Sequence, residues 1–211
     1  MTASSLPNAT EPGQSSRLAT WGPILVVAAV VLVGGTGVAI SVLSEPILPD
    51  FGPVPAFTLE ERSGSQVALR DLLGKVWVAD FVFTNCAGVC PAMSHCMQQV
   101  HEEMKSDPDA RCVTITTDPA RDTPEVLRAY ADRYAASPDR WLFLRGPQPE
   151  VLALQHQGFK MGSPTDPFLH SERLVLVDKK GRIRGWFHGT EDAGVQELLK
   201  AYRRLQKSGG L

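Results

Sequence analysis

In the stretch FVFTNCAGVCP, Phe81 to Pro91, two cysteines stand with three residues between them, straight after an apolar run. Cys86 and Cys90 can form a disulfide, act as a redox couple, bind a metal together, or carry no chemistry at all. If a helix starts near Cys86, a spacing of four puts both sulfurs on one face, with Cβ atoms about 5–6 Å apart. A disulfide prefers Cβ atoms about 3.8 Å apart and would need some adjustment. Two thiolates converging on one metal at about 2.3 Å each fit that separation better. A helix N-terminus also lowers a thiol pKa, favouring the thiolate that redox and metal chemistry both require. Pro91, just inside the expected helix start, lacks an amide hydrogen that would have no intrahelical partner there.

Two thiolates leave a metal under-coordinated, so a third ligand should exist, and the chain offers five histidines. His95 lies five residues past Cys90, about 140° round the helix, and faces elsewhere. His101 and His156 sit in polar helical surroundings and are expected to be solvated. His188 ends a strand beside a Gly-Thr turn and is a weak candidate. His170 stands in FLHSERLVLVD, in the loop entering the penultimate strand, a position from which it can face the pair. Met93 and Met97, at i+3 and i+7 from Cys90, invite a thioether reading. A helix packed on a sheet needs apolar residues at that spacing, so both are assigned to the core. Cys96 lies about 15 Å along its helix from the turn that Cys112 follows, so these two are read as separate buried thiols.

The elements that must position these residues follow from periodicity and turn signals. AFTLEERSGSQVALRDLLGK gives two short extended pieces around a Ser-Gly turn. Strands are expected at Val76–Phe83, Cys112–Thr117, Trp141–Leu144, Arg173–Val177 and Ile183–Phe187. Helices are expected from Cys86 to about Met104, from about Pro124 to Tyr134, at about Glu150–Gln157, and over the C-terminal segment with Thr190 as N-cap. Asp-Lys-Lys-Gly joins the last two strands as a hairpin. The order β-β-β-α-β-α-β-α-β-β-α implies an α/β fold, a thioredoxin-like mixed sheet with helices on both faces. In such sheets the working crevice lies beyond the carboxyl ends of the parallel strands, where Cys86, Cys90 and Asp118 all fall. Redox enzymes of thioredoxin type place two residues between their cysteines, so the third residue here argues against plain oxidoreductase work.

Length and composition bound the rest. At 211 residues with 43% hydrophobic content the chain can bury one core, and a net charge of -2 gives no reason to expect nucleic acid. Residues 1–20 are polar and proline-bearing, as in a disordered tail. Trp21–Leu43 carries no charge over 23 residues, enough to cross a bilayer of about 30 Å as a helix. A cleaved signal peptide is the rival reading of that span. Arg17 before it and Glu45 and Asp50 after it put the tail in the cytoplasm and the remainder outside. That gives a single-pass protein of the cell inner membrane with its globular domain on the periplasmic or extracytoplasmic side. Residues 44–54 read as a Pro-rich linker, and residues 55–207 as the thioredoxin-like domain.

Three blocks, FTNCAGVCP, TTDPARDTPE and LHSERLVLVDKKG, resemble in order and spacing the signature of the Sco/SenC family. The resemblance covers about residues 50 to 206 and the anchor. It implies a membrane-anchored, thioredoxin-like protein that binds copper, Cu(I) or Cu(II), and serves cytochrome c oxidase assembly. Carried over by position, Cys86 and Cys90 become copper thiolates and His170 the imidazole ligand, while Asp118, Arg121 and Asp122 flank the site. Arg121 and Asp122 have a plainer reading as an ion pair bracing their loop. Thr84-Asn85-Cys86-Ala87-Gly88 departs from the family's usual Thr-His-Cys-Pro-Asp, and Phe81-Val82-Phe83 from a glycine-bearing triplet; neither change removes a ligand.

Soft thiolates select Cu(I), and imidazole serves Cu(I) or Cu(II). Two sulfurs and one nitrogen leave an open position from which a metal can pass to incoming cysteines. The expectation is thus a metallochaperone rather than an enzyme, delivering copper to the copper-bearing subunit of the oxidase or reducing that subunit's cysteines. A thiol reductant or another copper carrier would be its second partner, because metal binding requires the Cys86–Cys90 pair, itself able to form a redox-active disulfide, to be reduced. The alternatives are a thiol-disulfide oxidoreductase or thiol peroxidase using the same pair, and a copper or redox sensor. A peroxidase would want a threonine three residues before its cysteine, and Thr84 is two before Cys86.

Overall fold

The computed structural model describes residues 48–161 and 172–209, together with Val26, Val27 and Val30. The tail 1–20, most of the Trp21–Leu43 span and His170 lie outside the described residues. Among the described residues no helix is long and apolar enough to cross a membrane. The chain divides by contacts into Met1–Pro46 and Ile47–Leu211, and the second unit contains the sheet.

That unit runs β1 (Thr58–Glu61), β2 (Gln66–Ala68), α1 (Leu69–Leu72), β3 (Val76–Val82), α2 (Cys90–Met104), β4 (Ala110–Thr116), α3 (Pro124–Arg133) and β5 (Trp141–Arg145). Then come α4 (Gln148–Ala153), a single π-helical turn (Leu154–Gly158), β6 (Arg173–Val177), β7 (Ile183–His188) and α5 (Asp192–Lys207). The strands form one mixed sheet in the order β2-β1-β5-β4-β3-β6-β7. β3, β4 and β5 are parallel, β1 and β6 run antiparallel to them, and the outer strands β2 and β7 pair antiparallel with β1 and β6.

β3 lies mid-sheet with both faces covered, which is why VWVADFV reads as an almost unbroken apolar run rather than an alternation. Val76, Val78 and Val82 face one layer of side chains with α2, α3 and α5, while Trp77, Ala79 and Phe81 face another with Leu72, Val151, Leu154 and Phe159. On α2, Met93, Met97, Val100 and Met104 recur every three or four residues and all are buried. The core assignment of Met93 and Met97 therefore holds, and Cys96 and Cys112 are separate, buried, free thiols as expected.

The stretch expected to act as a spacer is largely part of the fold. Phe51 N donates to Ile183 O (3.0 Å), Ile183 N to Gly52 O (2.9 Å) and Val54 N to Gly181 O (2.9 Å). The Phe51 ring meets Trp186 edge-on at 4.6 Å, and Val54 is buried. Prolines suit such a place, because an edge segment need not donate from every residue. Residues from 51 on thus cover the free edge of β7, and the folded region begins before the Pro55 boundary read from composition. At the other end, Glu191 rather than Thr190 is the N-cap of α5, without a side-chain bond.

Candidate metal centre

The cysteine pair leaves the sheet where the parallel strands end. The first four residues of FTNCAGVC carry the chain out of β3, and the helix begins at Cys90, with Val89 as N-cap. The expected helix start near Cys86 is therefore displaced by one turn. Gly88 disfavours helix there, and Pro91 is suited to the first turn of a helix. Thr84 is also drawn off the helical path by two bonds to Asp122. The two sulfurs are consequently not successive rungs on one helical face. Cys86 rides on a loop, and Cys90 is fixed at a helix N-terminus.

They still meet, and their environments differ. Burial pushes the half-exposed Cys86 thiol up, but hydrogen bonds from the Cys90 side chain and from the Cys90, Gly88 and Val89 backbone outweigh it. The net effect lowers Cys86 below the ordinary thiol value. Cys90 is 1% exposed, and burial together with its hydrogen bond to Cys86 pushes it up to about 12. A backbone hydrogen bond from Phe83 opposes this, and the nearby charges of Cys86 and Asp80 add to it. The pair thus offers one reactive, accessible sulfur and one protected sulfur behind it.

The loop after β4 meets the chain at Thr84, two residues before Cys86. Arg121 Nη1 donates to Asp118 Oδ2 at 3.1 Å, so the loop's ion pair is Arg121–Asp118 and not the expected Arg121–Asp122. Asp122 turns inward, 1% exposed, and its carboxylate accepts from Thr84 N (3.1 Å), Thr84 Oγ1 (2.5 Å) and Thr116 Oγ1. Asp118 N in turn donates to Thr116 Oγ1 at 3.1 Å.

The histidines sort differently from expectation in two cases. His95, expected to face away from the pair, and His188, the weak candidate, are both exposed. His101 is not solvated: it is 1% exposed, with Nε2 2.9 Å from Ser137 Oγ and its ring 5.5 Å from Trp141. It sits beside the Met97–Val100–Met104 stripe, so the helix buries it whatever its polar neighbours, and burial lowers its pKa. His156 is half-buried, with Nδ1 2.7 Å from Met161 O. Among the described residues no group of three or more His, Cys, Asp or Glu gathers to hold a metal. The third donor expected from sequence, His170, lies outside the described residues.

Comparison with known proteins decides the family. The SCO1/SenC profile matches residues 51–206. The chain is 32% identical to the SCO1 protein homolog of Bacillus subtilis over 152 residues, covering 69% of this chain and 79% of that one. The chain belongs to the SCO1/SenC family. Among solved structures, it superposes with TM-score 0.65 and 30% identity on BsSco, described as a member of the Sco family of cytochrome c oxidase assembly proteins carrying a disulfide switch. That match covers 74% of this chain and 95% of BsSco. It superposes on yeast Sco1 with copper bound with TM-score 0.58 and 25% identity, covering 74% and 90%. The fold is accordingly thioredoxin-like.

The departures from the Sco/SenC resemblance fall in two places: Phe81 and Val82 are buried in β3, and Asn85, Ala87 and Gly88 lie at the surface. The latter three are all exposed beside Cys86, and these differences leave both sulfurs in place. Two features of the site escaped the sequence reading. Thr84 matters through Asp122, a partner 38 residues away that no local pattern reveals. Asp80 is fully buried in β3, and neither carboxyl oxygen makes a hydrogen bond. Burial pushes its carboxyl up to about 7, although Thr114, its register partner on β4, pulls the other way. Its signal was visible: a lone charge in the middle of VWVADFV.

Proposed function

We propose that this protein is a membrane-tethered copper carrier that binds the metal through Cys86, Cys90 and His170. It hands copper to, or reduces the cysteines of, the binuclear copper site of cytochrome c oxidase. The observation that carries this reading is the pair of soft, unequal sulfurs at the open end of the parallel strands, one accessible and one held at a helix N-terminus. Thiolates of that kind favour Cu(I) over harder cations. The copper-bound yeast relative and the oxidase-assembly role stated for BsSco support the cargo and the recipient. His170 enters through its place in the family's third block, and Asp118 and Arg121 through theirs on the rim. The uncharged span Trp21–Leu43 acts as the anchor, with residues 1–20 cytoplasmic and the domain on the extracytoplasmic side.

A second reading, a dithiol reductase acting on the recipient, is favoured by one observation: the two thiol pKa values are pushed apart. A low-pKa accessible thiol attacks, and a buried partner then resolves the mixed disulfide. His170→Ala separates the two. A reductase needs only its sulfurs and should keep its disulfide potential and its activity in cells. A carrier loses one of three ligands, so the variant should stay folded, lose stable Cu(II) with its thiolate charge-transfer band, and fail to support oxidase assembly. Normal oxidase assembly with this variant overturns the carrier reading.

A further inference from the structure

Cys90 is fixed by its helix, whereas Cys86 rides on a loop; its sulfur takes hydrogen bonds from Cys90, Gly88 and Val89, and the chain that brings it to them must itself be held. We propose that Asp122 is the positioning residue for Cys86, acting through Thr84. Asp122 is a rigid post: it is buried, its backbone N donates to Asp118 O (2.9 Å), and the next residue, Thr123, N-caps α3 with Oγ1 accepting from Val126 N (3.4 Å). Its two carboxylate oxygens divide between the donors of Thr84, Oδ2 taking the backbone N–H and Oδ1 the hydroxyl. Thr116 Oγ1 donates to Oδ2 from the end of β4. Arg121, the nearby cation, is engaged by Asp118 instead, which leaves the Asp122 carboxylate to these three neutral donors. Two bonds from one residue fix both the position and the orientation of the chain at Thr84, two residues before Cys86. The loop that carries the accessible sulfur is thereby pinned to the same end of the sheet as the helix that carries the buried one.

A site whose donors are already placed loses less freedom on binding metal, and outer partners of that kind typically contribute roughly 10–100-fold in affinity. The same pinning raises the effective concentration of one thiol against the other. In exchange with oxidised glutathione, the two protein thiols give up two electrons and two protons, one protein disulfide forms, and two glutathione thiols are released.

The test uses the full reduced chain and three variants. Thr84→Val keeps the shape and deletes the hydroxyl donor, Thr84→Ser restores the donor, and Asp122→Asn removes the carboxylate. Cu(I) affinity is read by competition with a chelator, the Cys86–Cys90 disulfide by its equilibrium with glutathione, and folding separately by urea. We expect Thr84→Val and Asp122→Asn to lose roughly tenfold or more in Cu(I) affinity and in the glutathione equilibrium, and Thr84→Ser to stay within about twofold of the parent. The copper arm rests on the carrier reading; the glutathione arm does not. A parent that takes up no Cu(I) sinks the carrier reading alone, and the thiol equilibrium then decides for or against positioning. A folded Thr84→Val variant with the parent's thiol equilibrium overturns the proposal, even where its urea midpoint falls, because a merely structural bond would move only the midpoint.

Discussion

Replacing Asp80 by asparagine should make this protein more stable at alkaline pH and leave it nearly unchanged in acid. Asp80 sits on the β3 face that looks toward α2, fully buried, with both carboxyl oxygens unbonded. Its pKa rises from an ordinary 3.8 to about 7 because burial penalises the anion. Between those two values the folded protein keeps a proton that the unfolded chain has released, so stability falls as pH rises. Below 3.8 both states are protonated and nothing is lost; above about 7 both are ionised and the whole penalty is present. At 1.36 kcal/mol per pH unit, that interval corresponds to about 4 kcal/mol as an upper bound. Asparagine has the same shape, never ionises, and is no worse bonded there than the protonated acid. Urea unfolding of the reduced, metal-free unit from Ile47 onward, at pH 5 and at pH 8, measures the effect. The variant's advantage should grow by about 2 kcal/mol or more between those two pH values. An advantage that is the same at both would refute the argument, because it would mean that Asp80 does not titrate in that range.

Two further outcomes follow from the same geometry. In the reduced, metal-free protein a small alkylating reagent should modify Cys86 first, Cys90 much more slowly, and Cys96 and Cys112 only on unfolding, as read by mass spectrometry of peptides; equal rates at Cys86 and Cys90 would contradict the unequal pair. Arg184→Met should cost about 3–5 kcal/mol in urea, because it strands Asp178, whose Oδ2 accepts from Arg184 Nε (2.7 Å) and Nη2 (2.6 Å) in a buried site; a change under about 1 kcal/mol would show that the Lys180 and Arg182 backbone donors suffice.

How much of this was legible depended on whether the deciding force was local. The strands from Val76 onward and the helices after Pro124 and Glu191 follow apolar period and turn residues, and they stand within a few residues of expectation. The hairpin at Asp178–Gly181 was also local: Asp178 Oδ1 accepts from Lys180 N and Arg182 N, and Gly181 adopts φ +73°. Failures came where partners are distant in sequence. The helix start at Cys86 looked natural by spacing, but Thr84 is held by Asp122. His101 looked solvated among charged neighbours, but the sheet beneath α2 and Ser137 decide its burial. Phe51 and Val54 looked like linker because their partners, Trp186, Ile183 and Gly181, come some 130 residues later.

The site itself was readable at one further level, that of topology. In a parallel pair, the connections after both strands emerge at the same end of the sheet. β3 and β4 are such a pair, with Val82 opposite Thr116 in register. Two residues beyond each lie Thr84 and Asp118, so the cysteine loop and the Asp118–Asp122 loop must face one another, whatever their sequences. Chemistry then chooses among the side chains that this places together. Cys86 and Cys90 supply soft donors, Arg121 satisfies Asp118 on the rim, and Asp122 is left free to turn inward to Thr84. A single register shift of β3 against β4 would send these side chains to opposite faces of the sheet and dismantle the arrangement. The fully buried Trp77, Phe81, Val113 and Ile115 on one face, against Val78, Val82 and Cys112 on the other, oppose such a shift. The apolar core thus brings the two loops within reach of each other, and the Asp122–Thr84 bonds then fix the cysteine loop there.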